Sequence, residues 1–444
     1  MKADRAFASK RYAVLGLARS GRATVQMLVD SGAEVTAWDS REEPRQQVPD
    51  GVTLADPLMI DLKGFDGVVV SPGVPLNRHP IVAAAQRANV PLIGDIELFA
   101  QMRDELPPHR VVGITGTNGK STTTALVHHL FEQAGVPSLM GGNIGKPILG
   151  EDALPAHGVY VLELSSYQID ITQTLSCDVA ALLNITPDHL DRYADFADYA
   201  GAKARLFAMQ DADRHAVFGM GDAQTCAVAV RERARRGEAL VHEVEGAGLA
   251  HLQHDWPSLQ GPHNLQNVAV AVAICEIVGL TPEQWLPALK TFPGLPHRME
   301  RVAEHRGVTF VNDSKATNPA SAAPALAAFP PDPAPRIHWI CGGLPKGDRL
   351  DECEQYFGYV KAAYTIGDAG PRFAELLASH TDVTRSEMLG DAVRAAMAAA
   401  DEGDVVLLAP ACASFDQFRD YEARGDAFRQ IVTALIEDHS EVAL

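Results

Sequence analysis

Paired cysteines, metal-ligand spacings, a membrane-length apolar run, a fixed-period repeat and a surplus of basic charge are all missing from this 444-residue chain. The six cysteines (Cys177, Cys226, Cys275, Cys341, Cys353 and Cys412) are scattered, with no C-x-x-C pair. That excludes a zinc ribbon or dithiol motif and reads as reduced, mostly buried thiols of a cytoplasmic protein. No apolar run approaches the ~18 residues of a membrane span, so no membrane partner is expected. The apolar stretch at residues 12–18 is short and followed by Arg19 and Arg22, which reads as a first core strand rather than a secretory signal. The balance of 38 Lys and Arg against 57 Asp and Glu, a net charge of −19, argues against general nucleic-acid binding. A local cationic pocket for a small anion remains open.

What the chain does have is alternation. At ~150 residues per domain, the length suggests about three domains. Each block alternates apolar strands with helical patterns, the mark of α/β units with mainly parallel sheets. The expected fold class is α/β in three domains: residues 1–98, Rossmann-like; 99–296, a central P-loop ATPase-like domain; and 297–444, again Rossmann-like. Pro293-Gly294-Leu295-Pro296 punctuates the second boundary.

The densest signal is Val111-Val112-Gly113-Ile114-Thr115-Gly116-Thr117-Asn118-Gly119-Lys120-Ser121-Thr122: a buried strand, a glycine-rich turn and a helix opening on Lys-Ser-Thr. Backbone N–H groups and a helix N-terminus would converge there on a polyphosphate. Lys120 would reach the terminal phosphates and the Ser121 hydroxyl would ligate magnesium. Ile114 stands where the strict G-x-x-x-x-G-K-[ST] pattern needs glycine. Val127, Leu130, Phe131 and Ala134 support the helix, and Gly135 stops it.

In open α/β sheets ligands bind beyond the carboxyl ends of the strands, so polar residues there are the candidates. Glu163 closes one strand and suits magnesium; its competing reading is a carboxylate capping the next helix. His189 shares a loop with Asp188 and Asp191, and Lys203 reads as an ordinary exposed helical lysine. Asn264 and Asn267 stand three apart at a helix start, one as a possible N-cap and the other free for a ligand. Further clusters are Pro296-His297-Arg298-Met299-Glu300, Asn312-Asp313-Ser314-Lys315-Ala316-Thr317, the lysine of Gly342-Gly343-Leu344-Pro345-Lys346-Gly347, and Ala409-Pro410-Ala411-Cys412-Ala413-Ser414. Converging lysines and hydroxyls make a pocket for a small carboxylate-bearing molecule. Near the start, Gly16-Leu17-Ala18-Arg19-Ser20-Gly21 follows a strand and Asp39 ends the next; this suits a dinucleotide or a nucleotide diphosphate but lacks G-x-G-x-x-G.

Taken together, Thr115-Gly116-Thr117-Asn118-Gly119-Lys120-Ser121-Thr122, Leu162-Glu163-Leu164-Ser165-Ser166, His263-Asn264-Leu265-Gln266-Asn267, His297-Arg298 and Asn312-Asp313-Ser314-Lys315-Ala316-Thr317 resemble the motifs of the Mur ligases, ATP-dependent amide ligases that build the peptide of peptidoglycan. The resemblance covers essentially the whole chain. The features at residues 16–21, Ser71-Pro72-Gly73-Val74 and Ser414-Phe415-Asp416-Gln417-Phe418 resemble the D-glutamate-adding branch. It implies UDP-N-acetylmuramoyl-L-alanine and D-glutamate as substrates, an acyl-phosphate intermediate, ATP with two Mg2+ ions, and a cytoplasmic monomer. ATP would be cradled by Gly116, Thr117, Asn118, Gly119, Lys120, Ser121 and Thr122 and contacted by Asn267, Arg298 and Asp313. Ser121 and Glu163 would hold one magnesium and His189 a second, with Lys203, matching a lysine the family carries as a carbamate, among the metal ligands. Lys120, His189, Lys203 and Lys315 would be catalytic. The nucleotide substrate would lie on Gly16, Leu17, Asp39, Ser40, Arg41 and Gly73, helped by Asn143 and Ser165. Thr317, Lys346, Ser414 and Tyr421 would surround D-glutamate. Tyr421 stands where the resemblance expects Phe, and Ala18 where a hydroxyl residue is common, at the loss of one hydrogen bond to substrate.

Other readings account for less. A folylpolyglutamate synthase-like ligase shares the central ATP domain but lacks the nucleotide-sugar domain; another Mur ligase remains an alternative, although the Asp-Asn-Pro-Arg motif of the next pathway enzyme is absent. A P-loop kinase or NTPase explains only the second block, a dehydrogenase only the first. A non-enzymatic nucleotide-binding protein needs no carboxylate pocket.

Overall fold

The computed structural model describes residues 1–188, 192–345 and 347–441. They form three α/β domains, each on its own sheet. The first sheet has the parallel order β3-β2-β1-β4-β5, from β1 (Arg11–Leu15), β2 (Glu34–Trp38), β3 (Thr53–Leu54), β4 (Gly67–Val70) and β5 (Leu92–Ile93). The second is also all parallel, with β6 (His109–Thr115), β7 (Ser138–Gly142), β8 (Gly158–Glu163), β9 (Val179–Leu182), β10 (His215–Gly219) and β11 (Val241–Val244) in the order β11-β10-β9-β6-β8-β7. The third contains β12 (Glu300–His305), β13 (Val308–Asn312), β14 (Ile337–Gly342), β15 (Val360–Ile366), β16 (Asp382–Glu387) and β17 (Val405–Leu408) in the order β12-β13-β17-β14-β15-β16. Its edge strand β12 is antiparallel and the others are parallel.

The chain packs as two compact units, residues 1–245 with 269–288, and residues 246–268 with 289–444. The first unit holds the first two sheets. Their central strands read as continuous apolar runs because helices cover both faces; every residue of β8 and β9 is buried. The helix Lys120–Gln133 follows β6 and buries Val127, Leu130 and Phe131 completely. It ends where expected, with Gly135 at φ +74°. Among the described residues no helix is long and apolar enough to cross a membrane.

The turns at Gly16, Asp39 and Gly116, the end of β8 at Glu163 and the loop after β13 sit at carboxyl edges, whereas the opposite edge of the third sheet carries a closed polar core. His338, 1% exposed, contacts Tyr364 Oη at 3.0 Å through Nδ1 and Asp404 Oδ2 at 3.1 Å through Nε2. Lys361 Nζ donates to Asp404 and Asp401 at 2.7 and 2.8 Å. Burial holds the His338 pKa below its ordinary value despite Asp404 beside it. Burial also lowers His109, His128, His215 and His242, and pushes His263 down to about 4. Each of these rings holds a proton less tightly when folded than in the unfolded chain, where the imidazole pKa is about 6.5. The unfolded state therefore binds more protons as the solution is acidified, and stability falls. The imidazole contribution to the melting temperature should be level above neutrality and drop as pH falls through the 6.5–5 range, roughly the window set by the unfolded imidazole pKa. Calorimetry of His338→Gln should show a shallower drop; an identical slope would remove His338 from the account.

Candidate functional site

In the first unit, β6 delivers the glycine-rich turn to the carboxyl edge of the central sheet. The turn is clamped on the segment after β9: Thr117 N donates to Asn184 O at 2.9 Å, and Asn118 N donates to Asn184 Oδ1 at 2.9 Å. The Thr117 hydroxyl donates to Thr186 O at 3.1 Å and lies 3.1 Å from the Tyr199 hydroxyl. Gly119 precedes the helix, and Ser121 is buried in its first turn. Lys120 Nζ folds back to donate to Gly116 O at 3.0 Å and Thr117 O at 2.8 Å.

Lys203 corrects its sequence reading as an exposed lysine. It is 2% exposed, and its Nζ donates to the same Gly116 carbonyl at 2.7 Å. Burial first, and the charge of Lys120 second, hold its pKa well below the usual lysine value. The physical reason is its helix face: Tyr199, Ala202, Leu206 and Phe207 are buried on the helix Phe196–Met209, and Lys203 shares their stripe. That spacing was visible in the sequence; reading lysine as a solvated residue type concealed it.

Glu163 ends β8 beside this loop. Asn143 Nδ2 donates to its Oε1 at 2.8 Å, while its buried Oε2 has no hydrogen-bond partner. The close approach depends on Gly142, at φ +90°, where a Cβ would stand 2.2 Å from Glu163 O. The competing capping role belongs instead to Ser165, whose hydroxyl accepts from Gln168 N while Gln168 Oε1 accepts from Ser165 N. Ser165, expected at the substrate, thus commits its side chain to a helix cap. Among the described residues no group of three or more His, Cys, Asp or Glu could hold a metal ion. Magnesium fits all the same, because it commonly takes one or two protein carboxylates and fills its shell with phosphate oxygens and water. The uncommitted Glu163 Oε2, near a polyphosphate loop, is such a donor. His189 lies outside the described residues.

The nucleotide candidates assemble at the carboxyl edge of the first sheet. Gly16, at φ +92°, accepts the Ser71 hydroxyl at 2.9 Å on its carbonyl, and a Cβ there would meet Ser71 Cβ at 2.9 Å. Asp39 Oδ2 accepts from Leu17 N at 2.8 Å, and its Oδ1 from Arg41 N at 3.0 Å and Arg41 Nε at 3.4 Å. Burial alone would raise the Asp39 pKa, but these donors lower it overall. Ala18 caps the helix Arg19–Asp30 with no side-chain hydrogen bond. Ser40 is exposed beside Asp39, and Gly73 is unconstrained, with nothing near a Cβ placed there.

The second unit gathers Arg298, Asp313, Lys315, Thr317, Ser414 and Tyr421 around the ends of β13 and β17. His297 and Met299 hold positive φ values of 61° and 49°, so Arg298 is presented on a strained turn. The turn is tied down from several sides: His297 N donates to Glu300 Oε2 at 2.9 Å, Asn312 Nδ2 lies 3.1 Å from His297 Nδ1, and Met299 N donates to Asp313 Oδ1 at 3.1 Å. Burial pushes the Asp313 carboxyl up to about 7, although Met299 N–H and Arg298 favour its charged form. Lys315 Nζ lies 4.3 Å from the centre of the Tyr421 ring, a cation–π contact. Thr317 N closes on Lys315 O, and buried Ser414 starts the turn after β17. Lys346 lies outside the described residues.

Asn264 and Asn267 also belong to this unit, and neither is an N-cap. The helix begins earlier, at Pro262, because its proline needs no N–H partner. Asn267 Nδ2 donates to Asn264 Oδ1, and Asn264 Nδ2 to Gln260 O.

The residue that sequence reasoning missed is Arg424. It is 1% exposed and donates to Ser314 Oγ and O, Cys412 O and Ala413 O at 2.9–3.1 Å. It therefore ties the Lys315 loop to the Ser414 loop. Burial lowers its pKa to about 10. An arginine in the first turn of a long helix carries no pattern that would have singled it out.

Comparisons with known proteins cover all three domains. The Mur ligase MurD-like N-terminal domain matches residues 10–94, the Mur ligase middle domain residues 114–275, and the Mur ligase glutamate ligase domain residues 297–412. A UDP-N-acetylmuramoylalanine–D-glutamate ligase of Novosphingobium aromaticivorans is 68% identical over 438 residues, covering 99% of this chain and 98% of its own. The protein of that name from Sphingopyxis alaskensis is 58% identical over 436 residues, covering 98% of this chain and all of its own (100%). Among solved structures, the UDP-N-acetylmuramate–alanine ligase of Thermotoga maritima matches with a TM-score of 0.58 at 16% identity, over 96% of this chain and 99% of its own. At that identity the likeness speaks for the fold alone. Sequence matches that span every domain, joined to a site built from the motifs that first suggested them, place this chain in the Mur ligase family.

Proposed function

We infer that this chain joins D-glutamate to the alanyl carboxyl of UDP-N-acetylmuramoyl-L-alanine at the expense of ATP, in cytoplasmic synthesis of peptidoglycan precursors. The observation that carries the chemistry is the convergence of Lys120 and Lys203 on one carbonyl of the glycine-rich turn, with Glu163, in register with Ile114 on the strand that leads into it, keeping an Oε2 without a hydrogen-bond partner. The name shared by relatives 68% and 58% identical carries the substrates. In this reading residues 1–98 bind the nucleotide end, 99–296 ATP and 297–444 the amino acid, and the enzyme works as a monomer.

The acceptor carboxylate attacks the γ-phosphorus, the bond to the ADP oxygen breaks, and an acyl phosphate forms. The D-glutamate amine then attacks the acyl carbon, phosphate leaves, and the nitrogen gives up a proton. Each step brings anions together, so cations aimed at the transferring group supply the catalysis. Lys120 swings from its loop carbonyls to the phosphates, while Lys315 and Arg298 add positive charge from the third domain, and Asp313 and Asn267 orient the nucleoside. Two magnesium ions, held by Ser121, Glu163 and His189, would polarise the phosphoryl oxygens. Leu17 N–H, already oriented by Asp39, and Gly73 receive the nucleotide, with Ser40, Arg41 and Asn143 beside it. Thr317, Lys346, Ser414 and Tyr421 hold the amino acid.

Lys203 has a further role in this reading. Its depressed pKa favours the neutral amine, the form that adds to CO2. The new N–C bond gives a carbamate and releases a proton, placing beside Lys120 an anion able to pair with it and with magnesium.

Lys120→Ala should lower kcat by about 10²–10³, the scale of losing one oriented charge-stabilising donor. Phosphate release that requires both D-glutamate and the acceptor measures this, and near-normal turnover would sink the assignment. Lys203→Ala should lose activity and regain part of it with millimolar formate or acetate, which the parent protein does not need; absence of rescue counts against the carbamate. With ATP present, Mg2+ should raise the melting temperature, and Glu163→Gln should reduce that increment while leaving the metal-free melting temperature nearly unchanged. An undiminished increment would exclude Glu163 as a ligand.

A further inference from the structure

Within the first unit, a cavity of about 100 Å³ lies between the loop after β4 and the helix Ser166–Asp170. None of the assignments above uses it. Val74 and Leu76 line one side, and Tyr167, Asp170, Arg192 and Tyr193 are among the residues of the other.

Its surroundings place it. Ser71, also in the lining, donates to Gly16 O, so one end of the cavity adjoins the turn assigned to the nucleotide. At the other end an aromatic series leads to the phosphate loop. Tyr167 stacks on Tyr193 at 6.1 Å between centroids and 9° between planes, Tyr193 lies 5.4 Å from Tyr199, and the Tyr199 hydroxyl is 3.1 Å from Thr117 Oγ1. The cavity thus stands between the nucleotide end and the acid end of a substrate that must reach both. In the acceptor named for the relatives, the part between those ends is the N-acetylated sugar.

Size and chemistry narrow the choice. A volume of about 100 Å³ has room for a substituent of a few heavy atoms. The Arg192 guanidinium carbon lies 4.1 Å from the centre of the Tyr167 ring. Stacking fixes the plane of the fork while its N–H groups point outward along that plane. Tyr193 is fixed in turn, its hydroxyl donating to Asp170 Oδ2 at 2.8 Å. A preoriented donor opposite an aliphatic wall matches an acetamido group, which has one acceptor oxygen and one methyl.

We propose that this cavity receives the acetamido group of the acceptor sugar, its carbonyl oxygen accepting from Arg192 and its methyl packing against Val74 and Leu76. The inference rests on the acceptor assigned above and makes Arg192 a specificity residue for it.

The test compares UDP, UDP-N-acetylmuramoyl-L-alanine and the same acceptor without its acetyl group, by calorimetry on the full chain. Arg192→Ala should weaken the acetylated acceptor by about tenfold, the scale of one charge-assisted hydrogen bond, and leave UDP unchanged. The preference for the acetylated over the deacetylated acceptor should shrink accordingly. In turnover the loss should appear in KM for the acceptor rather than in kcat. Leu76→Phe, which fills the cavity from its other side, should give the same pattern and covers the case in which Arg192→Ala does not fold. Equal weakening of both acceptors, weakening of UDP itself, or no change would each overturn the proposal. Binding needs no turnover, so a parent protein that binds the acceptor without releasing phosphate would count against the ligase reading while leaving this result legible.

Discussion

One carbonyl oxygen, that of Gly116, accepts from both Lys120 and Lys203. The two ammonium nitrogens are therefore no more than ~6 Å apart, where two full charges would repel by about 3 kcal/mol at an effective dielectric of 20. Burial adds to that cost for Lys203 and, with the charge of Lys120, holds its pKa well below the usual lysine value. Much of the central domain serves this arrangement. β6 carries the carbonyl to the sheet edge, and the Asn184 and Thr186 contacts hold the turn that presents it. The helix Phe196–Met209 brings Lys203 to it on the apolar stripe the helix would bury anyway. A site that holds two lysines at one acceptor, with the pKa of one depressed, can change sign at a single atom by chemistry at that lysine, without moving the backbone.

Other candidate residues are likewise held by contacts within their own unit. Asp39 spends its oxygens on Leu17 and Arg41 N–H groups, and Asn143 orients Glu163 so that only one carboxylate oxygen remains uncommitted. Arg424 locks the loops of Lys315 and Ser414 together from below. This is preorganisation in a literal sense: the cost of fixing the groups is met on folding, so less remains to be met on binding. It also explains why polar residues that look equivalent in a motif differ in the structure. Ser165 and Ser166 adjoin each other, yet Ser165 closes a capping box and cannot be assigned by its neighbourhood alone.

The sheets were legible because buried parallel strands have to be apolar on both faces. Runs such as Val111-Val112 and Val179-Ala180-Ala181-Leu182 can hardly be anything else between glycine and polar punctuation. The carboxyl-edge rule then gathered the candidate residues at one end of those strands without any knowledge of the ligand. What stayed hidden depends on three-dimensional burial of residue types usually exposed. Lys203 and Arg424 are long cations whose setting is written by distant partners, Gly116 in one case and the loops at Ser314 and Cys412 in the other. The start of the Pro262–Val278 helix was misplaced for a local reason: the amides at Asn264 and Asn267 attracted a capping assignment that Pro262 pre-empts.

Charge shows the same division between what composition tells and what position tells. A net charge of −19 sets the long-range field against any polyanion and explains why nucleic acid was set aside at once. Yet the substrates inferred for this chain are themselves anions, and they must approach through that field. Screening over a Debye length of about 8 Å at physiological salt removes most of the distant repulsion. The local charge decides the rest. Lys120 lies in the first unit, and Arg298, Lys315 and Arg424 in the second; each is anchored by loop carbonyls, a ring or a strained turn rather than scattered over the surface. Net acidity and these anchored cations are thus compatible: the first is a long-range term that salt screens, and the second acts at contact distance.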